Sequence, residues 1–307
     1  VSKNGRAYRY LVTNQIVMND LEFQRSFLME QKESVLTFRA DREALSASVY
    51  PDLAYRMHVS GTGFNVYDER RLAPGAAPGS SSLVVLETEP CSNWTLTVQG
   101  LLHGGESKPA IREVQEEAVR YREFLGRVMN GFRLSLEEAS APAAQELQKL
   151  NTLAWWYTHN MLVHFSVPHG LEQYGGAAWG TRDVCQGPAE YFLATQKYGV
   201  VKDILKTVYA HQYEDDGNWP QWFMFDRYFR IQQEESHGDI IVWPLKVLSD
   251  YLTATGDYGL LDEKVPYTVK GSFEPSAASA TIREHAKKEI GYIRSHFLHD
   301  TYLSSYG

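Results

Sequence analysis

Cysteine is nearly absent from this chain. Cys91 and Cys185 are the only two in 307 residues, and no C-x-x-C spacing occurs. That argues against a disulfide framework or a thiolate zinc site, and two reduced thiols fit a cytoplasmic protein. A basic excess is missing as well: 30 Lys and Arg stand against 38 Asp and Glu, a formal net charge of −8. Nucleic-acid binders carry the opposite balance, so nucleic acid is excluded as a partner, although a local anion pocket is not. No apolar run reaches the ~18 residues of a bilayer span, and no signal peptide is visible. No internal repeat is evident. His159 and His164 are five residues apart rather than four, and neither they nor His169 and His237 form a recognisable metal motif, so no metal is expected. The chain begins at Val1 and stops at S-S-Y-G, which reads as a piece of a longer protein at both ends.

Aromatic residues, in contrast, are plentiful: 7 Trp, 19 Tyr and 13 Phe make up 13 % of the chain. That share suits stacking on sugar rings. The fold class reads as α+β and multidomain. Residues 1–108 contain short runs of β-branched and aromatic residues, among them 7–17, 34–40, 46–50, 55–60, 82–88 and 94–100. Turn residues separate these runs, and the pattern predicts an N-terminal antiparallel β-sandwich. Residues 109–138 form a Glu- and Arg-rich helical linker, with Ile111, Val114, Ala118, Tyr121, Leu125 and Val128 near helical spacing. Residues 139–307 read as a helical domain of five or six helices. Those expected are a stretch over 135–165 broken near Pro142, then 188–199, 200–213, 241–256 and 276–298, with a polar loop at 270–280.

Two segments of the helical half lack any amphipathic period. The first is P-H-G-L-E-Q-Y-G-G-A-A-W-G-T-R-D-V-C-Q-G-P, 168–188, and the second is N-W-P-Q-W-F-M-F-D-R-Y-F, 218–229, running on to S-H-G-D-I-I-V-W-P-L, 236–245. Arg182 and Asp183 follow a Gly-rich turn, and together offer a donor fork and an acceptor to a polyol. A local ion pair capping a helix from Pro188 is the alternative. Gly175 and Gly176 permit a tight turn or a close ligand approach. Trp219 and Trp222 can form a stacking platform or can simply be core residues. Asp239 precedes an apolar helix start and is either an N-cap or a general acid. Beside Ile240, Ile241 and Trp243 it would be partly desolvated, which raises a carboxyl pKa toward a useful value. Glu234 and Glu235 are nearby on a more polar stretch and rank lower. His237 is a candidate ligand hydrogen-bonder.

With these segments in view, the chain resembles glycoside hydrolase family 94, the cellobiose and chitobiose phosphorylase family. W-G-T-R-D-V-C-Q-G is similar to the family's G-F-R-D-x-x-Q-D motif, P-Q-W-F-M-F to its Q-H-W-W-H-P segment, and G-D-I-I-V-W-P-L to its D-D-x-L-W-L-P motif. The wording is most similar in the branch that acts on β-1,2-glucooligosaccharides. The resemblance implies that the helical half is the first part of an (α/α)6 barrel. It implies inverting phosphorolysis, with Asp239 as general acid, Arg182 and Asp183 holding the −1 sugar, and Trp222 near that sugar. Inorganic phosphate would replace the water of an inverting hydrolase, so no second catalytic carboxylate and no cofactor are needed. The partners implied are a β-glucooligosaccharide and phosphate, with a homodimer as a candidate assembly. Two departures stand out. Disaccharide phosphorylases carry a phosphate-binding Arg before the R-D pair, where this chain has G-G-A-A-W-G. The family's G-D-W-(N/D)-D motif and its phosphate-binding His and Thr would lie beyond Gly307, so the 307 residues alone are expected to be inactive. The alternatives are a phosphorylase-like module of a cyclic β-1,2-glucan synthase, a β-1,4-specific cellobiose or cellodextrin phosphorylase, and a non-catalytic carbohydrate-binding module.

Overall fold

The computed structural model describes residues 1–16, 18, 27–44, 47–48, 50–79, 81–101, 113–137, 140–166, 178–225 and 228–303. The chain divides into two compact units, Val1–Glu113 and Val114–Gly307.

The first unit consists of antiparallel sheets. Strands β1 (Leu11–Gln15), β5 (Phe64–Tyr67) and β6 (Leu83–Thr88) form a three-stranded sheet in the order β1-β6-β5. Strands β2 (Phe27–Lys32), β3 (Val35–Ala40), β4 (Ala54–Ser60) and β7 (Thr95–Leu101) form a four-stranded sheet in that order. One core holds the two together. Leu36 and Phe38 of β3 and Met57 and Val59 of β4 meet Val84 and Leu86 of β6. Their i, i+2 spacing puts each pair on one face of its strand. Of the run at 46–50, residues 47, 48 and 50 are described, and the amides of Ala47 and Ser48 bond to the carbonyl of Ala44 as in a helix rather than to a neighbouring strand. Strand β2 was not expected. Only Phe27 of its six residues is buried, so F-L-M-E-Q-K carries no alternation to read. Arg71 and Arg9 both pair with the buried carboxylate of Glu87, at 2.9 and 3.4 Å, and hold it below the ordinary range.

The second unit is mainly helical: α1 (Val114–Val128), α2 (Ala141–Phe165), α3 (Thr181–Ala194), α4 (Tyr198–Ala210), α5 (Trp243–Thr255) and α6 (Ile282–Ser295). Short strands β8 (Ala178–Gly180), β9 (Trp222–Met224) and β10 (Gln232–Gln233) form one small antiparallel sheet, and β11 (Lys264–Thr268) pairs with β12 (Pro275–Thr281) in another. Of the stretch expected over 135–165 and broken near Pro142, residues 135–137 and 140 are not helical, and α2 runs unbroken from Ala141, with Pro142 at its start. The proline sits in the first turn, where its missing N–H has no helical partner to lose. Helix α3 begins seven residues before the expected start and carries Pro188 inside it. The expected loop and helix start at 270–281 are instead largely strand β12. Helix α6 begins only at Ile282, behind a capping box in which Thr281 and Glu284 bond to each other's backbone amides. Gly256, at φ +67, ends α5 in the left-handed conformation that glycine adopts without strain. One core of Val184, Cys185, Phe192, Ile204, Leu205 and Val247 joins α3, α4 and α5. Among the described residues no helix is long and apolar enough to cross a membrane.

Candidate active site

The site grows out of the β8–β9–β10 sheet. Gly180 lies opposite Trp222, and Trp222 lies opposite Gln233. Where β8 ends, Thr181 is buried and fastened twice to the second segment, its amide to the Gln221 carbonyl at 3.1 Å and its hydroxyl to the Pro220 carbonyl at 2.7 Å. Helix α3 starts at that clamp, so its first turn presents Arg182 and Asp183 beside Trp222. Gly180 has φ −66 and ψ 125, which any residue can adopt. It is needed for space instead: a Cβ there would fall 2.1 Å from Oδ2 of Asp183.

Asp239 arrives from the other side. Gln221 donates its amide to the Gln233 carbonyl at 2.8 Å and accepts the His237 amide on its side-chain oxygen at 3.3 Å. Gly238, at φ +67, then turns the chain into a short 3-10 segment, Ile240–Val242. Ile240 and Ile241 point into the core, whereas the Asp239 side chain stays 51 % exposed. Its carboxylate does not cap the turn. Oδ1 accepts from Arg182 Nη1 at 3.1 Å and Oδ2 accepts from the Trp243 indole at 2.9 Å. Arg182 Nε lies 3.9 Å from Asp183 Oδ1, so the guanidinium stands between two carboxylates. The Trp243 hydrogen bond, aided by Arg182, holds Asp239 below the usual carboxyl range. The expected upward shift by desolvation is therefore not found, because the isoleucines bury themselves rather than the acid.

Arg182, Asp183 and Asp239 thus converge, with Trp222 half-buried on the adjoining strand. His237 is exposed two residues from the acid. Trp219 is not part of the cluster. It is fully buried, its indole donates to the Val208 carbonyl at 2.8 Å, and it packs edge-on against Tyr209. Its ring is a core element, which corrects the expectation of a second stacking surface. Gly175, Gly176 and His169 lie outside the described residues. Sequence reading missed Trp243 as a hydrogen-bond donor; the signal was its position four residues after Asp239, across one turn. Among the described residues no three His, Cys, Asp or Glu side chains are grouped to hold a metal ion.

Comparison with known proteins bears on this cluster. Residues 1–100 match the family model described as a glycoside phosphorylase supersandwich domain. Over 306 residues, the whole of this chain, the sequence is 40 % identical to a 1,2-beta-oligoglucan phosphorylase of Listeria innocua. The chain is a relative of the glycoside phosphorylases. It spans 27 % of the length of that relative. The phosphorylase resemblance carried by the W-G-T-R-D and G-D-I-I-V-W-P-L segments is therefore matched across both units, not at the motifs alone.

Proposed function

We propose that the protein containing this chain is an inverting phosphorylase acting on β-1,2-glucooligosaccharides and releasing α-glucose 1-phosphate. In this reading Arg182 and Asp183 hold the hydroxyls of the −1 glucose and Trp222 flanks it. Asp239 gives its proton to the glycosidic oxygen as that oxygen leaves C1. A phosphate oxygen forms the new bond to C1 from the opposite face, so configuration inverts and the shortened oligosaccharide departs as an alcohol. The observation that carries the reading is the convergence of Arg182, Asp183 and Asp239 in a chain 40 % identical to a 1,2-beta-oligoglucan phosphorylase.

In the free protein Asp239 is ionised at neutral pH, because Trp243 and Arg182 stabilise the carboxylate. An acid must first gain a proton. Sugar hydroxyls that engage Arg182 draw it off Asp239, and the ring displaces water from the half-exposed carboxyl. Both changes favour the protonated form. The test is Asp239→Asn in the full-length protein, assayed for phosphate-dependent glucose 1-phosphate release. Loss of a positioned acid lowers kcat/KM by about 10²–10⁴-fold. Undiminished phosphorolysis would remove Asp239 as the acid and leave sugar binding as the role of the cluster.

A further inference from the structure

Glu289, on α6, is fully buried, and among the described residues it forms no ion pair. It makes two hydrogen bonds. One carboxyl oxygen is 2.9 Å from the Tyr209 hydroxyl on α4, and the other accepts the Leu245 amide at 3.0 Å. Leu245 is the third residue of α5, and its N–H is one of the four that a helix cannot satisfy within itself. The residue before that helix is Val242, and no side chain of α5 caps it. Glu289 therefore supplies the cap from another helix. The same turn of α5 begins with Trp243, whose indole holds Oδ2 of Asp239.

Resting on the reading of Asp239 as the acid, we propose that Glu289 is a positioning residue. Its carboxyl fixes the first turn of α5 and, through the Trp243 indole, the orientation of Asp239. Burial raises the Glu289 carboxyl well above its ordinary range, so it serves here as a neutral, shape-specific anchor. The groups around it agree with that. Tyr209 of α4 and Cys185 of α3 are both raised by burial, so neither places a charge beside it. Nearer the acid, the charged neighbours are Arg182 and Asp183 of α3. Nothing in the anchor requires a negative charge.

The test separates position from charge. In the full-length protein, Glu289→Asp keeps the acid but shortens the arm by one methylene. Glu289→Gln removes the acid but keeps an acceptor for Leu245 and a donor for Tyr209. The expected result is a kcat fall of about 10–100-fold for Glu289→Asp, as for a misplacement near 1 Å, with KM for the oligosaccharide little changed. Glu289→Gln restores most of the rate. Trp243→Phe lowers kcat as well, and Glu289→Asp adds no further loss in that background, because both act through one indole. An unchanged kcat in folded Glu289→Asp, or losses that multiply in the double variant, would overturn the proposal. Should Glu289→Asp not fold, Tyr209→Phe cuts the other anchor of the same carboxyl and is read in the same way. Full activity in Asp239→Asn sinks the acid reading itself. An inactive Asp239→Asn beside a normal Glu289→Asp removes this inference alone.

Discussion

Gly180→Ala is the sharpest perturbation of the candidate site, because it separates folding from binding at one methyl group. The backbone there, at φ −66 and ψ 125, is open to alanine. The added Cβ would meet Oδ2 of Asp183 at 2.1 Å, Cγ at 2.9 Å and Cβ at 3.3 Å. The obstacle is thus the end of a side chain that is itself 38 % exposed and free to swing into solvent. Alanine at an N-cap costs about 1 kcal/mol relative to glycine at most, and the loss of glycine's unfolded-state freedom returns about 0.4–1 kcal/mol. Net stability should shift by less than about 1 kcal/mol. Binding should suffer more. A hydrogen bond to a charged group contributes about 1.5–3 kcal/mol, so an Asp183 turned away from the −1 sugar weakens binding by roughly 10- to 150-fold. Calorimetric titration of the full-length variant with β-1,2-linked glucobiose, beside a urea unfolding curve, reads both quantities. Unchanged affinity in Gly180→Ala would refute the placement of Asp183 in the sugar site, and a stability loss above about 3 kcal/mol would refute the steric account.

The two tryptophans of the N-W-P-Q-W segment should behave oppositely. Trp219→Ala should cost about 3–5 kcal/mol in a urea unfolding measurement, because it empties a core site and strands the Val208 carbonyl. Trp222→Ala should cost less than half as much but weaken binding of the same disaccharide, and the reverse order would undo the assignment of both. Stability should also depend on pH from two sides. Burial pushes His211 and His285 down to about 4, so the native state binds fewer protons than the unfolded chain between there and about 6.5. Their contribution is complete above about 6.5 and is lost as pH falls toward 4, which urea midpoints taken from pH 7 to pH 4.5 should record. Glu289 has the opposite sign. Its raised native pKa retains a proton that the unfolded chain releases above about 4.3, so stability falls with rising pH by up to about 1.4 kcal/mol per unit. Glu289→Gln should flatten that decline, and an equal slope in the wild type and the variant would show that Glu289 is not the cause.

What could be read in the sequence follows from how local its cause is. Strands β3 and β4 bury Leu36 and Phe38, and Met57 and Val59, at every second position, and that period is written in the chain. Strand β2 is an edge strand that buries only Phe27, and its partner β3 supplies the reason it is a strand at all. The start of α3 was missed because Pro188 reads as a helix beginning. The actual beginning is set by Thr181 bonding across to Gln221 and Pro220, some forty residues away. The site shows the same division. Arg182, Asp183 and Asp239 stood out through their residue types and their motifs. That the guanidinium sits between the two carboxylates depends on the β8–β9–β10 register, which no local pattern encodes. Glu289 carried no signal, since a glutamate within K-K-E-I-G-Y reads as one more solvated helix charge.

The environment of Asp239 shows why neighbours in sequence are a poor guide to a carboxyl's ionisation. Ile240, Ile241 and Trp243 suggested a desolvated acid, already poised to donate. In a turn entering a helix, however, successive side chains point in different directions. The isoleucines turn inward while Asp239 stays half in water. The one aromatic neighbour that reaches it does so with an N–H, which favours the carboxylate rather than the acid. An acid held ionised at rest is not disqualified from catalysis, because the interaction with Arg182 is one that sugar hydroxyls can take over, while the bond to Trp243 is internal to the turn. The two partners then have different tasks in the proposed reaction. Arg182 exchanges Asp239 for substrate and so couples binding to proton uptake. Trp243, held by the turn that Glu289 caps, keeps the carboxyl aimed while its protonation changes.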